Sequence, residues 1–140
     1  MVLISETDKA YLAGLIDGEG CISILPGGAG KLQVSVGNNH RGVLEYGQSL
    51  FGGSLGGSRV TSSGRVCWIW NLSNKKAAGL LESIFPYLRV KRPQAEVARK
   101  FTSTIGLKDI ENKRKIPNSI RAARKDMRMK VLALNAGGNL

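Results

Sequence analysis

The stretch at residues 12–20 constrains the fold of this chain more than any other, and it reads Leu-Ala-Gly-Leu-Ile-Asp-Gly-Glu-Gly. Its apolar residues follow the spacing of one helix face. On the same helix, Ala10, Gly14 and Gly18 fall at i, i+4 and i+8 and form a stripe of small residues. Because such a stripe carries almost no side chain, a second helix can approach it nearly backbone to backbone. The segment therefore predicts a helix that packs against another helix.

Two acidic residues, Asp17 and Glu19, stand where this helix ends. Two such helices side by side would bring four carboxylates together near one axis. Carboxylates a few ångströms apart repel one another unless a cation lies between them, and hard oxygen ligands are those that Mg²⁺ prefers. The junction therefore favours a divalent-metal site of the kind that acts on phosphate esters.

This segment also resembles the signature of the LAGLIDADG homing endonucleases. Seven of its nine positions match, namely Leu12, Ala13, Gly14, Leu15, Ile16, Asp17 and Gly20. The two departures, Gly18 and Glu19, keep a small residue followed by a carboxylate. The resemblance implies a metal site formed by Glu19, Gly18 and Asp17, with Mg²⁺ as the expected ion and Mn²⁺ as an alternative. Ca²⁺ is expected to bind without supporting cleavage. The alternative is a buried helix that ends in a glycine-capped turn with solvated acids.

The chain contains no second copy of the signature. Two acidic helix ends are needed to complete two adjacent metal sites, so a homodimer is predicted. Its interface is predicted to include Ala10, Ala13, Gly14, Asp17 and Gly18. Twofold symmetry in the protein predicts a palindromic or pseudo-palindromic DNA site.

The formal net charge of +11 indicates a polyanionic partner such as double-stranded DNA or host-intron RNA. No apolar run approaches the roughly 20 residues needed to span a bilayer, and no secretory signal pattern is present. We therefore expect an intracellular protein without a membrane partner. Cys21 and Cys67 lie outside any CxxC pattern and are expected to be free thiols. With His40 as its one histidine, the chain cannot supply the ligands of a zinc-finger nuclease.

The periodicities along the chain predict an α+β fold with an αββαββα core. Helical spacing marks the helices, and alternation marks two hairpins, the second formed by residues 59–62 and 65–72. One face of the curved antiparallel four-stranded sheet is expected to be covered by helices, and the other to form a DNA-binding saddle. Residues 1–107 are predicted to be the core, and residues 108–140 a C-terminal helical extension. Trp68 and Trp70 share one strand face and are expected in the core.

Polar side chains on the uncovered face of the sheet are candidates for reading base edges in the major groove. They are Ser23, Gln33, Ser35, Arg59, Thr61, Arg65 and Asn71. Glutamine suits adenine, and arginine suits guanine or a phosphate. The same alternation would also describe a solvated sheet face.

The resemblance extends to a segment that joins the third and fourth helices and carries a lysine of the catalytic site, which Lys91 matches. A cation there can stabilise the transition state at a phosphate. The alternative is a phosphate clamp formed with Arg89 and Arg92. Asn38 aligns with a family position that orients solvent near the metal, although asparagine is also a common turn residue.

Residues 108–140 contain nine basic and three acidic residues, a net charge of +6. A helix there places Ile120, Met127, Val131 and Leu134 on one side, with Arg121, Arg124, Lys125 and Arg128 around it. The apolar side is expected to dock and the basic side to meet phosphates. Lys113, Arg114 and Lys115 are expected to bind the DNA backbone with little sequence preference.

These features predict a sequence-specific double-stranded DNA homing endonuclease, a homodimer that hydrolyses phosphodiesters with a divalent metal. Two alternatives stay open. One is an intron-encoded RNA maturase that binds RNA without cutting, and the other is an inert DNA-binding regulator. Retention of both Asp17 and Glu19 favours cleavage, because a protein that only binds gains nothing from carboxylates that face phosphates.

Overall fold

The computed structural model of the chain describes residues 3–27, 30–60, 62–105 and 116–137, except for the side chains of residues 58 and 59. In chain order the elements are α1 (Glu6–Glu19), β1 (Gly20–Leu25), β2 (Lys31–Asn38), α2 (Arg41–Phe51), β3 (Ser54–Val60), β4 (Val66–Ser73), α3 (Asn74–Ile84), a short 3-10 helix (Phe85–Tyr87), α4 (Arg92–Thr102) and α5 (Asn118–Asn135). The α+β class and the αββαββα order are confirmed. The proposed boundary after residue 107 lies outside the described residues and stays a prediction.

The four strands form one antiparallel sheet in the order β1-β2-β4-β3. Each hairpin pairs its own strands, and β2 and β4 join the two hairpins in the middle of the sheet. In the register, Val34 lies opposite both Ile22 and Leu72. Because side chains alternate along a strand, these three point to one face, and all three are buried there. The polar residues between them point to the other face.

The core lies between the apolar face of the sheet and the helices. Helix α1 contributes Leu12 and Ile16, and α3 contributes Leu80 and Ile84, all without exposed surface. Burial of an aliphatic side chain of this size contributes about 1.5–3 kcal/mol. One face of α1 is thus held in the core, which leaves its opposite face available.

Of the two tryptophans expected in the core, Trp70 is confirmed and Trp68 lies at its margin. Trp70 has no exposed surface, and its Nε1 donates a hydrogen bond of 2.7 Å to the carbonyl of Gly52. Trp68 is half-buried, and the guanidinium of Arg41 lies 4.5 Å from its ring centroid. The ring of Trp68 therefore packs against the edge of the core and is also in contact with a cation.

The third strand was misplaced by the sequence pattern. It occupies Ser54–Val60, whereas the prediction placed it at residues 59–62. Three of its residues are small, Gly56, Gly57 and Ser58, so the apolar alternation that marks a strand is missing. The register also shifts between Gly57 and Arg59, as at a β-bulge.

Helix α5 covers the free edge of the sheet at β1. The side-chain amide of Asn135 donates a hydrogen bond of 2.9 Å to the carbonyl of Ile22 and accepts one of 3.2 Å from Gln94 on α4. An uncovered edge strand presents unpaired backbone groups to other chains, and a helix over it removes them. Among the described residues, no helix is long and apolar enough to cross a membrane.

Candidate active site and nucleic-acid interface

Helix α1 passes into β1 without a loop, and this junction places Glu19. Gly20 ends the helix, donates its N–H to the carbonyl of Ile16 and pairs with Val36 in the sheet. A Cβ on Gly20 would lie 2.9 Å from both Cα and O of Ile16, so only glycine fits. Glu19 and Gly18 therefore stand exposed at the end of the sheet where β1 begins.

The carboxylate of Asp17 is engaged within the chain. Its Oδ2 accepts a hydrogen bond of 2.8 Å from the N–H of Arg89, and its Oδ1 accepts one of 2.9 Å from the N–H of Lys91. Asp17 therefore holds the segment after the 3-10 helix against the end of α1. With both carboxylate oxygens engaged in this way, Asp17 is less free to hold a metal than Glu19 and Gly18, and its metal contact stays a prediction.

Lys91 lies where the sequence placed the second catalytic group. Its Nζ donates a hydrogen bond of 2.8 Å to the main-chain carbonyl of Asp17, in the last turn of α1. The carbonyls of a last helical turn lack helical partners, so the ammonium also satisfies one of them. The structure thus brings Lys91 and Glu19 to the same helix end, although 72 residues separate them in the chain.

Asn38 is the last residue of β2 instead of lying just past the strand. Its Oδ1 accepts a hydrogen bond of 2.7 Å from the N–H of His40, a local turn that leads into α2. Since Gly20 pairs with Val36, the end of β2 lies beside the junction of α1 and β1. Asn38 therefore shares this end of the sheet with Glu19, and its contact with solvent near a metal stays a prediction.

The two arginines beside Lys91 differ in their surroundings. Arg89 is exposed, as expected of a phosphate contact. Arg92 donates hydrogen bonds of 3.1 Å to the carbonyls of Leu88 and Pro86, and its guanidinium lies 5.4 Å from the ring centroid of Phe85. Arg92 therefore braces the 3-10 helix, and this reduces its freedom to follow a nucleic acid.

The uncovered face of the sheet carries the predicted base readers. Ser23 pairs with Gln33, and Ser35 pairs with Asn71, so four candidates form adjacent cross-strand pairs. All four are half-buried, because neighbouring strands flank them, and they alternate with the buried strand residues that face the core. The structure thus brings these residues together on one polar surface.

The remaining predicted DNA contacts are only partly described. Arg65 is exposed just before β4. The backbone of Arg59 pairs with Cys67. Thr61 lies outside the described residues, as do Lys113, Arg114 and Lys115.

The face of α1 that points away from the core carries the stripe of small residues. Ala10, Gly14 and Gly18 are exposed, and a Cβ at either glycine would meet nothing within 4 Å. Beside this stripe a groove of about 670 Å³ extends to the 3-10 helix and is bordered by Asp17. Ala13, which was also predicted at the dimer interface, is fully buried in the core, so that assignment is wrong.

Two tyrosines that the sequence did not single out hold the other end of α1. The hydroxyl of Tyr46 donates to the carboxylate of Asp8, and the hydroxyl of Tyr87 donates to that of Glu6. The bond from Tyr46 lowers the pKa of Asp8, and burial, followed by the bond to Asp8, raises the pKa of Tyr46 to about 12. The acids of the first turn of α1 are thereby tied to α2 and to the 3-10 helix.

Helix α5 divides its cations between two roles. Arg121 is exposed, in line with the prediction that it contacts DNA. Arg124 is 7% exposed, and its Nε donates to Thr104 Oγ1 at 2.8 Å above the ring of Phe101. Burial lowers the pKa of its guanidinium. The expectation that Arg124 belongs to the phosphate-facing side is therefore wrong, because it docks α5 onto the core.

The donors near the end of α1 fit a hard divalent cation. Glu19 offers an exposed carboxylate, and Gly18 offers a carbonyl from the last helical turn, where no later helical N–H donates to it. Oxygen donors of this kind suit Mg²⁺ and Ca²⁺. Across the described ranges, no three His, Cys, Asp or Glu residues cluster as a metal group. A complete site would need further donors from a second chain, a phosphate or water.

Comparison with known proteins identifies the fold. No protein-family model and no curated protein matches the sequence. The solved structure of the homing endonuclease I-CvuI in complex with a DNA target is 21% identical, with a TM-score of 0.72 over 92% of this chain and 82% of that one. The archaeal intron-encoded homing endonuclease I-Vdi141I, complexed with DNA, is 14% identical, with a TM-score of 0.60 over 89% and 98% of the two chains.

A third structure matches only part of a longer protein. The LAGLIDADG homing endonuclease I-GzeII, in complex with its DNA target, is 16% identical, with a TM-score of 0.58. The match covers 94% of this chain and 44% of that one, so this chain spans about half the length of I-GzeII. The element order, the open four-stranded sheet and these matches agree: the chain has the fold of the LAGLIDADG homing endonucleases.

Proposed function

We propose that this chain is one subunit of a homodimeric, sequence-specific endonuclease that cuts double-stranded DNA at a palindromic or pseudo-palindromic site. The observation that carries the proposal is the exposed glycine face of α1, which ends at Glu19 beside the polar face of the sheet. A helix with an exposed stripe of small residues is suited to pair with its own copy. Pairing there would bring two Glu19 side chains toward one axis.

DNA is the partner that the surface favours. The net charge of +11 suits a polyanion, and the cross-strand pairs of Ser23 with Gln33 and Ser35 with Asn71 offer donors and acceptors to base edges. I-CvuI, I-Vdi141I and I-GzeII, which share the fold, were each solved with DNA. These observations support a sheet that enters the major groove.

The chemistry follows from the groups at the end of α1. Glu19 and the carbonyl of Gly18 would hold Mg²⁺, or Mn²⁺ in its place, and a bound divalent cation supplies charge stabilisation and a more acidic water. Lys91, held by the carbonyl of Asp17, supplies a second cation for the charge that develops on the phosphate. Asn38, at the same end of the sheet, can orient solvent. No covalent intermediate is required.

The dimer is tested by adding bulk to the glycine face. Gly14→Met should weaken association, since overpacking of a close contact costs about 1–3 kcal/mol. Gly79→Met is the matched control, because Gly79 is also an exposed helical glycine with nothing within 4 Å of its Cβ. Analytical ultracentrifugation should find Gly79→Met dimeric and Gly14→Met shifted to monomer. A stable monomeric wild type on its preferred duplex would overturn the proposal.

Cleavage is tested with Glu19→Gln, which keeps the shape of the side chain and removes its charge. This variant should bind DNA and fail to cut it. Glu96→Gln is the control, because Glu96 is exposed on α4 away from the junction. Selection from a randomised DNA library in Mg²⁺ supplies the substrate. Ca²⁺ should support binding only, and EDTA should stop cleavage. Normal cutting by Glu19→Gln would show that the metal assignment is wrong.

The same experiment separates the alternatives. A maturase would bind intron RNA and leave every DNA in the library intact, and an inert regulator would select DNA sites without cutting them. Either result in Mg²⁺, with a folded wild-type protein, would replace the proposed endonuclease activity.

A further inference from the structure

The turn after β1 and helix α5 enclose a cavity of about 230 Å³. Its walls include the apolar side chains of Ile24 and Leu25, and α5 contributes Arg121, Lys125 and Arg128. Cations that border an apolar wall attract an anion more strongly than cations surrounded by water, because the local dielectric constant is lower. The composition of the walls therefore favours a small anionic group.

One residue that lines this cavity carries a donor without an acceptor in the described structure. Arg128 is half-buried, and its Nε is shielded from solvent without a hydrogen-bond partner among the described residues. Buried donors are almost always satisfied, so such an atom calls for an explanation such as an absent ion. Because solvent does not reach this atom, the side chain must turn toward the cavity for an oxygen of a bound anion to satisfy it.

Two cations of this cavity, Lys125 and Arg128, differ from Arg41 and Arg99 in the described structure. Arg41 and Arg99 each pair with a glutamate, at 2.6 and 3.1 Å. Within the described ranges no ion pair involves Lys125 or Arg128, even though Asp126 lies on the same helix. Both positive charges are thus left without an ion pair in the described part of the chain.

We propose that this cavity binds one phosphate of the DNA backbone, at the outer end of each half-site. This inference rests on the proposed function, which supplies DNA as the partner. Leu25 ends β1, and Gly20 begins it next to Glu19, so the cavity lies about 17 Å from the cleavage centre at 3.3 Å per residue. At about 3.4 Å per nucleotide along the duplex, the phosphate lies about five nucleotides from the cut.

The first test measures the salt dependence of DNA binding. Arg128→Met should reduce the slope of log affinity against log salt by about 1.8, which is about 0.9 for each of the two phosphate contacts of the proposed homodimer. Lys130→Met is the control, because it removes the same charge from α5 at a position that does not line the cavity. Equal slopes for the two variants, with wild-type binding intact, would overturn the phosphate site. Failure of the wild type to bind any duplex would overturn the proposed function instead.

The second test locates the phosphate. Single methylphosphonate substitutions along the selected duplex remove one backbone charge at a time. At one position in each half-site, about five nucleotides from the cut, the substitution should weaken binding of the wild type about tenfold and leave Arg128→Met unaffected. Additive effects of the variant and the substitution at every position would contradict the proposal.

A stability measurement separates phosphate binding from a structural role and from a free ion. In buffer without phosphate, Arg128→Met should unfold at the wild-type temperature or above it, because it removes an unsatisfied buried donor. A lower unfolding temperature would indicate a structural role and would count against the site. If inorganic phosphate stabilises the wild type but the methylphosphonate effects are additive, the cavity holds free phosphate, and the assignment to DNA is wrong.

Discussion

Replacement of Asp17 by alanine is expected to destabilise the metal-free protein, whereas replacement of Glu19 is not. Asp17 accepts hydrogen bonds of 2.8 and 2.9 Å from the N–H groups of Arg89 and Lys91. A hydrogen bond to a charged group contributes about 1.5–3 kcal/mol, but Arg89 is exposed, so water replaces most of its share. The expected loss is therefore about 2–3 kcal/mol.

Glu19→Ala provides the comparison because Glu19 is exposed and accepts no hydrogen bond from the described residues. Both substitutions remove an acid from the last turn of α1 and introduce a better helix former. These gains are similar in the two variants and nearly cancel when the variants are compared. An exposed position of this kind usually changes stability by less than about 0.5 kcal/mol. The difference between the two variants thus isolates the anchoring bonds of Asp17.

Urea denaturation monitored by tryptophan fluorescence measures the difference, with EDTA present so that metal binding cannot contribute. Equal protein concentrations are needed because association shifts apparent stability. The free energy of unfolding should be about 2–3 kcal/mol lower for Asp17→Ala than for Glu19→Ala, with Asp17→Asn between them because it keeps one acceptor. Equal stabilities would refute the anchoring role and restore Asp17 as a candidate metal ligand.

Two further predictions concern stability alone. Gly79→Ala should stabilise the protein by about 0.5–1 kcal/mol through helix propensity, whereas Gly47→Ala should destabilise it, because its Cβ would lie 2.6 Å from the buried ring of Trp70. Thermal unfolding of the two variants checks the order, and the reverse order would contradict the packing. The pKa of Asp8 is lowered below its ordinary value of 3.8 chiefly by the bond from Tyr46, so its contribution to stability is present above pH 3.8 and is lost as the pH falls through the folded pKa. Tyr46→Phe should therefore lose less stability than the wild type between pH 5 and pH 2 in urea titrations, and parallel losses would argue against the bond.

Much of the fold was predictable because local patterns carry it. The alternation in β2 and β4 and the helical spacing in α1 and α3 are each set by residues that are neighbours in the chain. Strand β3 was misplaced because its glycines have no apolar side chain to alternate. A glycine-rich strand is held by its partner β4, and single-sequence patterns do not contain that information.

Helical periodicity did not assign every residue to the correct face of its helix. At 100° per residue, Ala13 lies about 60° from the buried Ile16 and about 60° from the exposed Ala10, so spacing alone cannot assign it to either face. Arg124 could have been assigned, since it lies four residues after Ile120 and three before Met127 on the apolar stripe of α5. Because arginine is charged, Arg124 was assigned to the basic side of the helix instead.

The sequence suggested residues for the candidate site but not the hydrogen bonds that connect them. The signature placed Glu19, and the segment after the third helix supplied Lys91. The bonds from Asp17 to Arg89 and Lys91 span 72 and 74 residues and involve backbone N–H groups, which every residue except proline carries. No residue type marks such a bond in the sequence.

Helix α1 runs directly into β1, and this continuity affects which DNA sites the proposed dimer can bind. Gly20 leaves no room for a side chain, and no loop separates α1 from β1, so the two elements move as one rigid unit. Strand β1 extends about 17 Å from the junction. In the proposed dimer, a tilt of about 10° between the paired helices would swing each strand tip by about 3 Å, close to one base-pair step. The spacing between the two half-sites could then be retuned by substitutions on α1 alone, without altering any side chain that touches a base.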